Sequence, residues 1–178
     1  MLDFDQKTAA MLGFPKLTYA AIERERRWLC RQFPMDRIVG SDAIVDLYIT
    51  GTKLRLRDMR PLDGGQPLRK LTRKADVNES TRLLTSIYLS DEEFALLSAL
   101  PGRQIEKTRH RLAPIDGVVV STDAFDGLLA GLILAEAEFG SEAAMTAFPM
   151  PDFALREVTG DSRYNGGTLA ADGMPKEI

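Results

Sequence analysis

Cysteine and histidine are nearly absent from this chain, which has one of each, Cys30 and His110, in 178 residues. A single cysteine excludes a disulfide framework within the chain. One of each excludes a zinc site built from cysteine and histidine. A metal would have to be held by carboxylate oxygens, which suits a hard cation such as Mg²⁺ or Mn²⁺. Excess positive charge is also missing: the net charge is −3, which argues against a general nucleic-acid binder. No apolar run is long enough to span a membrane, and the start, Met1 to Lys7, lacks the basic and apolar regions of a signal peptide. The expectation is a cytoplasmic protein with neither nucleic-acid nor membrane partners. What is present is a hydrophobic content of 44%, enough for a sizeable core in one domain.

The pattern along the chain is mostly that of strands. Residues 1–20 have weak periodicity and read as an extension. Alternation or β-branched runs predict strands over 21–29, 44–49, 53–57, 68–75, 82–89, 105–112, 118–125 and 132–139. Phe33 to Asp36 and Pro61 to Pro67 read as a turn and a loop. Ser90 and Glu93 form a capping box that opens a helix over 91–100, with Phe94 and Leu97 as core residues, and Pro101-Gly102 ends it. Ser141 caps a short helix through Phe148. Pro149 to Ile178 reads as mostly loop. Antiparallel strands with few helices predict an α+β fold or a barrel.

Side chains two apart in a strand share a face. Glu23, Glu25 and Arg27 therefore lie together, as do Arg55 and Arg57, Lys107 and Arg109, and Glu136 and Glu138. Lys70, Thr72 and Lys74 share one face of the 68–75 strand, and Asp123 also sits on a strand. The opposite faces are largely apolar. Two readings fit. In the first, these are the solvated outer faces of an open sheet, with cross-strand ion pairs worth under about 1 kcal/mol each. Alternatively they face inward in a closed barrel, where carboxylates hold a divalent cation and the Arg/Lys set neutralises a polyanion, the arrangement phosphoryl transfer needs. The grouping of signs by strand, and the preference for Arg, favour the second.

Several segments carry a resemblance. Ile22-Glu23-Arg24-Glu25-Arg26-Arg27-Trp28 resembles an E-x-E-x-K opening. Leu54-Arg55-Leu56-Arg57 resembles an R-x-R strand, and Leu71-Thr72-Arg73-Lys74 an L-T-x-K strand. Glu106-Lys107-Thr108-Arg109-His110 is close to K-T-R-Y, Asp123-Ala124-Phe125 matches D-x-F, and Leu134 to Phe139 matches L-A-E-x-E. Glu157 to Tyr164 matches E-V-T-x-D-x-R-Y. In this order and spacing the set resembles the CYTH superfamily, the triphosphate tunnel metalloenzymes, over residues 21–171, leaving 172–178 as a tail. The resemblance implies an eight-stranded antiparallel β-barrel tunnel with a few outer helices, and metal-dependent hydrolysis of a small-molecule triphosphate (inorganic tripolyphosphate, a nucleotide or thiamine triphosphate) with Mg²⁺ or Mn²⁺. It also leaves open a non-catalytic polyphosphate-binding module, an adenylate cyclase-like activity and a homodimer. By position, Glu23, Glu25, Glu136 and Glu138 would hold metal, with Asp123 assisting. Arg27, Arg55, Arg57, Lys74, Lys107 and Arg109 would bind phosphates. Glu23, Glu25, Arg27, Glu136 and Glu138 would form the catalytic set.

The chain departs from that pattern at four places. Arg27 replaces the opening lysine and does not readily give up a proton. Leu84 and Ser86 stand where the family carries a second E-x-E, and Ser121 replaces an acidic residue two before Asp123. His110 should face away from the lumen. Cys30 reads as a small buried residue rather than a nucleophile. Arg24 and Arg26 read as solvated exterior charges, and Arg163 and Tyr164 as holding the C-terminal segment. Gly64-Gly65 is a loop without the helix and Lys-Ser/Thr of a phosphate cradle.

Overall fold

Alternating strands that are charged on one face and apolar on the other bury both faces only by curling up and covering the outside. The computed structural model of the chain, which describes residues 5–176, does this. The first four residues of the expected extension and the last two of the tail lie outside the described residues. The strands are β1 (Ala21–Cys30), β2 (Ile38–Ile49), β3 (Leu54–Pro61), β4 (Leu68–Asp76), β5 (Thr81–Tyr88), β6 (Gly102–Leu112), β7 (Val120–Phe125), β8 (Ile133–Glu138) and β9 (Ala154–Glu157). The helices among the described residues are α1 (Gln6–Met11), α2 (Asp91–Ser98), α3 (Glu142–Ala147) and α4 (Gly166–Asp172). Round the ring the order is β5-β4-β3-β2-β6-β7-β8-β1, and β1 returns to pair with β5, so eight antiparallel strands close into a barrel. Closure leaves no open edge in the ring. The short β9 adds to β1 at Trp28–Cys30, beyond the stretch that β5 occupies.

Because the lumen is charged, the hydrophobic core is divided. Outside β1, β7 and β8, the small Ala135 and Ala137 leave room for Trp28, Phe139 and Phe148, with Met145 of α3 above them. The Trp28 and Phe148 rings lie 6.0 Å apart. Outside β4 and β5, Ala9 of α1 and Phe14 cover Ala75 and Leu83, so the segment before β1 lies outside the barrel yet is packed on it. Outside β2 and β3, α2 lays Phe94 and Leu97 against Leu47 and Leu56. The fourth cluster is inside. Leu29, Ile105, Phe125 and Leu134 point into one end of the lumen, and Tyr164 and Leu169 of the C-terminal segment cover them.

The structure corrects several expectations. Residues 149–178 are mostly loop, as expected, but the loop is interrupted by β9 and α4, which the sequence did not announce. A four-residue strand is too short to show a period, and α4 opens with Gly166-Gly167, poor helix formers. β2 begins at Ile38, six residues early, because a bulge near Gly40 breaks its alternation. The α2 capping box forms as expected, but the helix stops at Ser98, and Phe94 and Leu97 are only half-buried. Arg26 lies outside the barrel yet is not solvated. It donates to Glu157 at 2.9 and 2.7 Å and to the carbonyls of Met145 and Phe148, groups that the C-terminal end of α3 leaves unpaired. His110 faces outward, bonded to Ser41 Oγ at 2.8 Å and stacked near Phe33. Burial pushes the Cys30 thiol up to about 11, so it stays protonated.

Candidate active site

The inward parity of each strand fixes which side chains meet. On β1 these are Glu23, Glu25 and Arg27, and the register sets Glu25 opposite Glu138 and Arg27 opposite Glu136 on β8. Asp123 of β7 faces Arg109 of β6. Asp46 of β2 lies opposite Arg57 of β3, which in turn lies opposite Lys70 of β4. In a ring of eight, the strand across the lumen is four positions away, so acidic β8 looks across at basic β3. The side chains enclose a cavity of about 820 Å³ lined by Glu23, Glu25, Arg55, Arg57, Lys107 and Glu136, among others.

The acidic side is tight. Carboxylate oxygens of Glu23, Glu25 and Glu138 lie within 4.8 Å of one another, a spacing able to hold a metal ion. All three donors are hard oxygens. Burial, with the neighbouring charge of Glu136, pushes Glu25 up to about 7, the signature of carboxylates crowded without enough positive charge. Cations border the cluster. Lys74 donates to Glu23 at 2.6 and 2.8 Å. Arg82 reaches Glu25 at 3.1 Å and Asp76 at 2.9 Å.

The basic side is braced from behind. Arg57 makes a two-pronged bond to Asp46 at 2.7 and 2.6 Å, and Arg55 approaches the same carboxylate at 3.6 Å. Burial alone would raise Asp46, but Arg57 and Arg55 hold it well below the usual carboxylate range. Asp123, fully buried, takes a two-pronged bond from Arg109 at 2.6 and 2.7 Å and a bond from Lys107. Arg109 also donates to Glu136. Against the effect of burial, Arg109 and Lys107 keep both Asp123 and Glu136 ionised.

The expected residues therefore all face the lumen but fall into different settings. Glu23, Glu25 and Glu138 converge. Glu136 and Asp123 are instead engaged by Arg109. Arg55, Arg57, Lys74, Lys107 and Arg109 line the cavity. Arg27 is occupied elsewhere: its guanidinium donates to the Tyr164 carbonyl at 2.6 Å and to Asn165 Oδ1 at 2.5 Å, with Glu25 at 3.2 Å behind it. It ties β1 to the segment that covers the apolar end. That segment approaches closely, since a Cβ at Gly166 would fall 1.9 Å from the Tyr48 hydroxyl. The departures are in the lumen too: Leu84 lies opposite Lys74, and Ser86 bonds to Thr72 at 2.7 Å. Sequence reading left Asp46 and Arg82 out, and set Lys70 on the Lys74 face without assigning it to the site. Parity could have found the first two: Asp46 alternates with Tyr48 on β2, and Arg82 sits two before Leu84.

No family model matches the chain. Over 85 residues it is 41% identical to an inorganic triphosphatase from Nitrosomonas europaea. That match covers 47% of this chain and 56% of the relative, so the chain matches little more than half the length of that protein. The crystal structure of the inorganic triphosphatase NE1496 is similar at 31% identity and a TM-score of 0.57, over 83% of this chain and 93% of the other. Among the described residues, no helix is long and apolar enough to cross a membrane.

Proposed function

The chain belongs to the CYTH superfamily of triphosphate tunnel metalloenzymes, and on that premise we propose that it hydrolyses a triphosphate, inorganic tripolyphosphate foremost, inside its barrel with Mg²⁺ or Mn²⁺. One observation carries the reading: a crowded carboxylate cluster, Glu23, Glu25 and Glu138, shares a lumen with the Arg55 and Arg57 strand, braced by Asp46, and the Lys107 and Arg109 strand, braced by Asp123. Glu23, Glu25 and Glu138 would hold the cation. Bound there, Mg²⁺ or Mn²⁺ supplies neutralisation of phosphate oxygens and Lewis-acid polarisation. Arg55, Arg57, Lys74, Lys107 and Arg109 bind the phosphate chain, the arginines with paired N–H donors suited to phosphate oxygens. Asp46 and Asp123 aim those cations into the lumen. Glu136, beside Arg109 and opposite Arg27, sits between the two sides and orients the attacking water. Water adds to a terminal phosphorus as the bridging P–O bond breaks, giving orthophosphate, diphosphate and a proton. In this reading Arg27 anchors the C-terminal segment and Asp123 positions cations rather than binding metal.

The test is phosphate release from tripolyphosphate, ATP and thiamine triphosphate, each with Mg²⁺, Mn²⁺ or EDTA. Release that EDTA abolishes, and that Glu138→Gln lowers by about 100-fold or more, is the expected result. Full turnover in Glu138→Gln would remove the site assignment. A second reading, a tunnel that binds polyphosphate without cleaving it, draws support from Arg27, whose donors are taken by Tyr164 and Asn165. Its mark is calorimetric binding of tripolyphosphate with no release. Absence of both binding and release overturns both readings.

A further inference from the structure

Nearly every cation facing the lumen already has a partner in the chain. Arg55 and Arg57 have Asp46, Lys107 and Arg109 have Asp123, Lys74 has Glu23, and Arg82 has Glu25 and Asp76. Arg27 has Glu25, and Arg111 has Asp42. Arg103 donates to the Ala171 carbonyl. Lys70 is different. It lines the same cavity and is half-buried, yet it makes no hydrogen bond or ion pair with any described residue. In register it lies between Arg57 of β3 and Tyr88 of β5. Besides burial, the largest charges bearing on it are Arg57 and Arg55 from β3, Lys74 from its own strand and Arg109 from β6, all positive, with Asp46 of β2 held behind Arg57. The adjoining β5 wall presents Leu84 and Ser86, and so offers no carboxylate. A half-buried ammonium among guanidinium groups is unfavourable in the free protein, and an anion entering from outside would complete it.

We propose that Lys70 is a phosphate-binding residue of the tunnel, the strand-borne lumen cation that a triphosphate engages without competing with an internal carboxylate. The proposal rests on the reading of the lumen as a triphosphate site. It makes the β3–β4 wall, with Arg55, Arg57 and Lys70 against the single carboxylate Asp46, the seat of the phosphates away from the Glu23, Glu25 and Glu138 cluster. Burial, reinforced by Arg57 and Arg55, lowers the Lys70 ammonium to about 8. Near pH 8 the free protein therefore carries it partly neutral, and an arriving polyanion restores the charged form, so binding takes up a proton.

The experiment is titration calorimetry of the full chain with inorganic tripolyphosphate in EDTA at pH 8, in two buffers of different ionisation enthalpy. The native chain should take up more protons on binding than Lys70→Met does, the proton that tripolyphosphate itself partly carries near pH 8 being common to both, and this excess is the uptake that reports Lys70. Lys70→Met should weaken binding by about tenfold or more, as expected for loss of a charge-assisted contact, and abolish the uptake. Lys70→Arg should keep the affinity but not the uptake, since a guanidinium stays protonated. A role limited to folding would not give that split. The thermal midpoint of Lys70→Met should equal or exceed the native one, because the substitution removes an unpaired cation beside Arg57. Native binding and uptake with Lys70→Met within about twofold overturns this proposal alone. A native chain that binds no tripolyphosphate overturns it together with the functional reading.

Discussion

One lumen holds two unlike regions. On β1 the inward side chains run Glu23, Glu25, Arg27 and then Leu29; on β8 they run Glu138, Glu136 and then Leu134; on β6, Arg109, Lys107 and then Ile105. Backbone, parity and sheet are the same throughout, and polarity changes within one step of the alternation. At the apolar end, Tyr164 and Leu169 cover the surface and water is excluded. Over the rest of the length charged side chains line a cavity, most of them paired with an opposite charge. The apolar end is held by contact area, which is non-directional. The charged region is held by pairs whose geometry must be kept, because removing one member of a buried pair leaves the other unmatched. The same barrel is thus stabilised in two ways along its axis, and the two ways should fail differently.

The largest effect should come from breaking the charged region at its most enclosed pair. Asp123→Asn keeps shape but leaves buried Lys107 without a carboxylate and removes the brace of Arg109. It should cost about 3–5 kcal/mol, read from urea unfolding. A loss below about 1 kcal/mol would mean that the lumen is wet enough to screen these charges, and the contrast with the apolar end would collapse. A smaller effect should appear at the joint between the two regions. Arg27→Lys keeps the charge but cannot reach the Tyr164 carbonyl and the Asn165 side chain together with Glu25. The expected cost is about 1–3 kcal/mol. Hydrogen exchange should quicken over residues 164–172 while β2 and β3 stay protected. Uniform quickening would show that Arg27 holds the barrel rather than its cover.

That joint also marks the limit of what the sequence could tell. The parity of Glu23/Glu25, Arg55/Arg57 and Glu136/Glu138 left an open sheet and a closed barrel both standing, and the order of the motifs from the first E-x-E to the last decided for the barrel. Local signals such as Ser90 with Glu93 placed α2 correctly. The role of Arg27 was not legible, because its partners stand more than a hundred residues away on a segment with neither strand nor helix period. Lys70, though placed on the Lys74 face, and Asp46 were not assigned to the site for a related reason. Single charges on an alternating strand look solvated until the ring closes and shows what they face. Asp123 and Glu136 looked equivalent to Glu23 and Glu25 as acids on inward faces, and only the position of Arg109 separates the two groups.

The smallest expected effect sharpens the comparison through pH. Asp46 has a folded value depressed below its ordinary one by Arg57 and Arg55, against the opposing effect of burial. A depressed carboxylate contributes stability that is fully present above its unfolded value, about 3.9, and is lost as pH falls toward the folded value. The stability difference between the native chain and Asp46→Asn should therefore be flat above about pH 5. It should narrow by about 1 kcal/mol on going down to pH 3, measured from urea midpoints at each pH. The apolar end contains no such group among Leu29, Ile105, Phe125 and Leu134, so substitutions there should shift the midpoint by the same amount at every pH. A flat difference for Asp46→Asn down to pH 3 would mean that Asp46 gains nothing from Arg57 and Arg55 in the folded state. The basic wall would then stand without its brace.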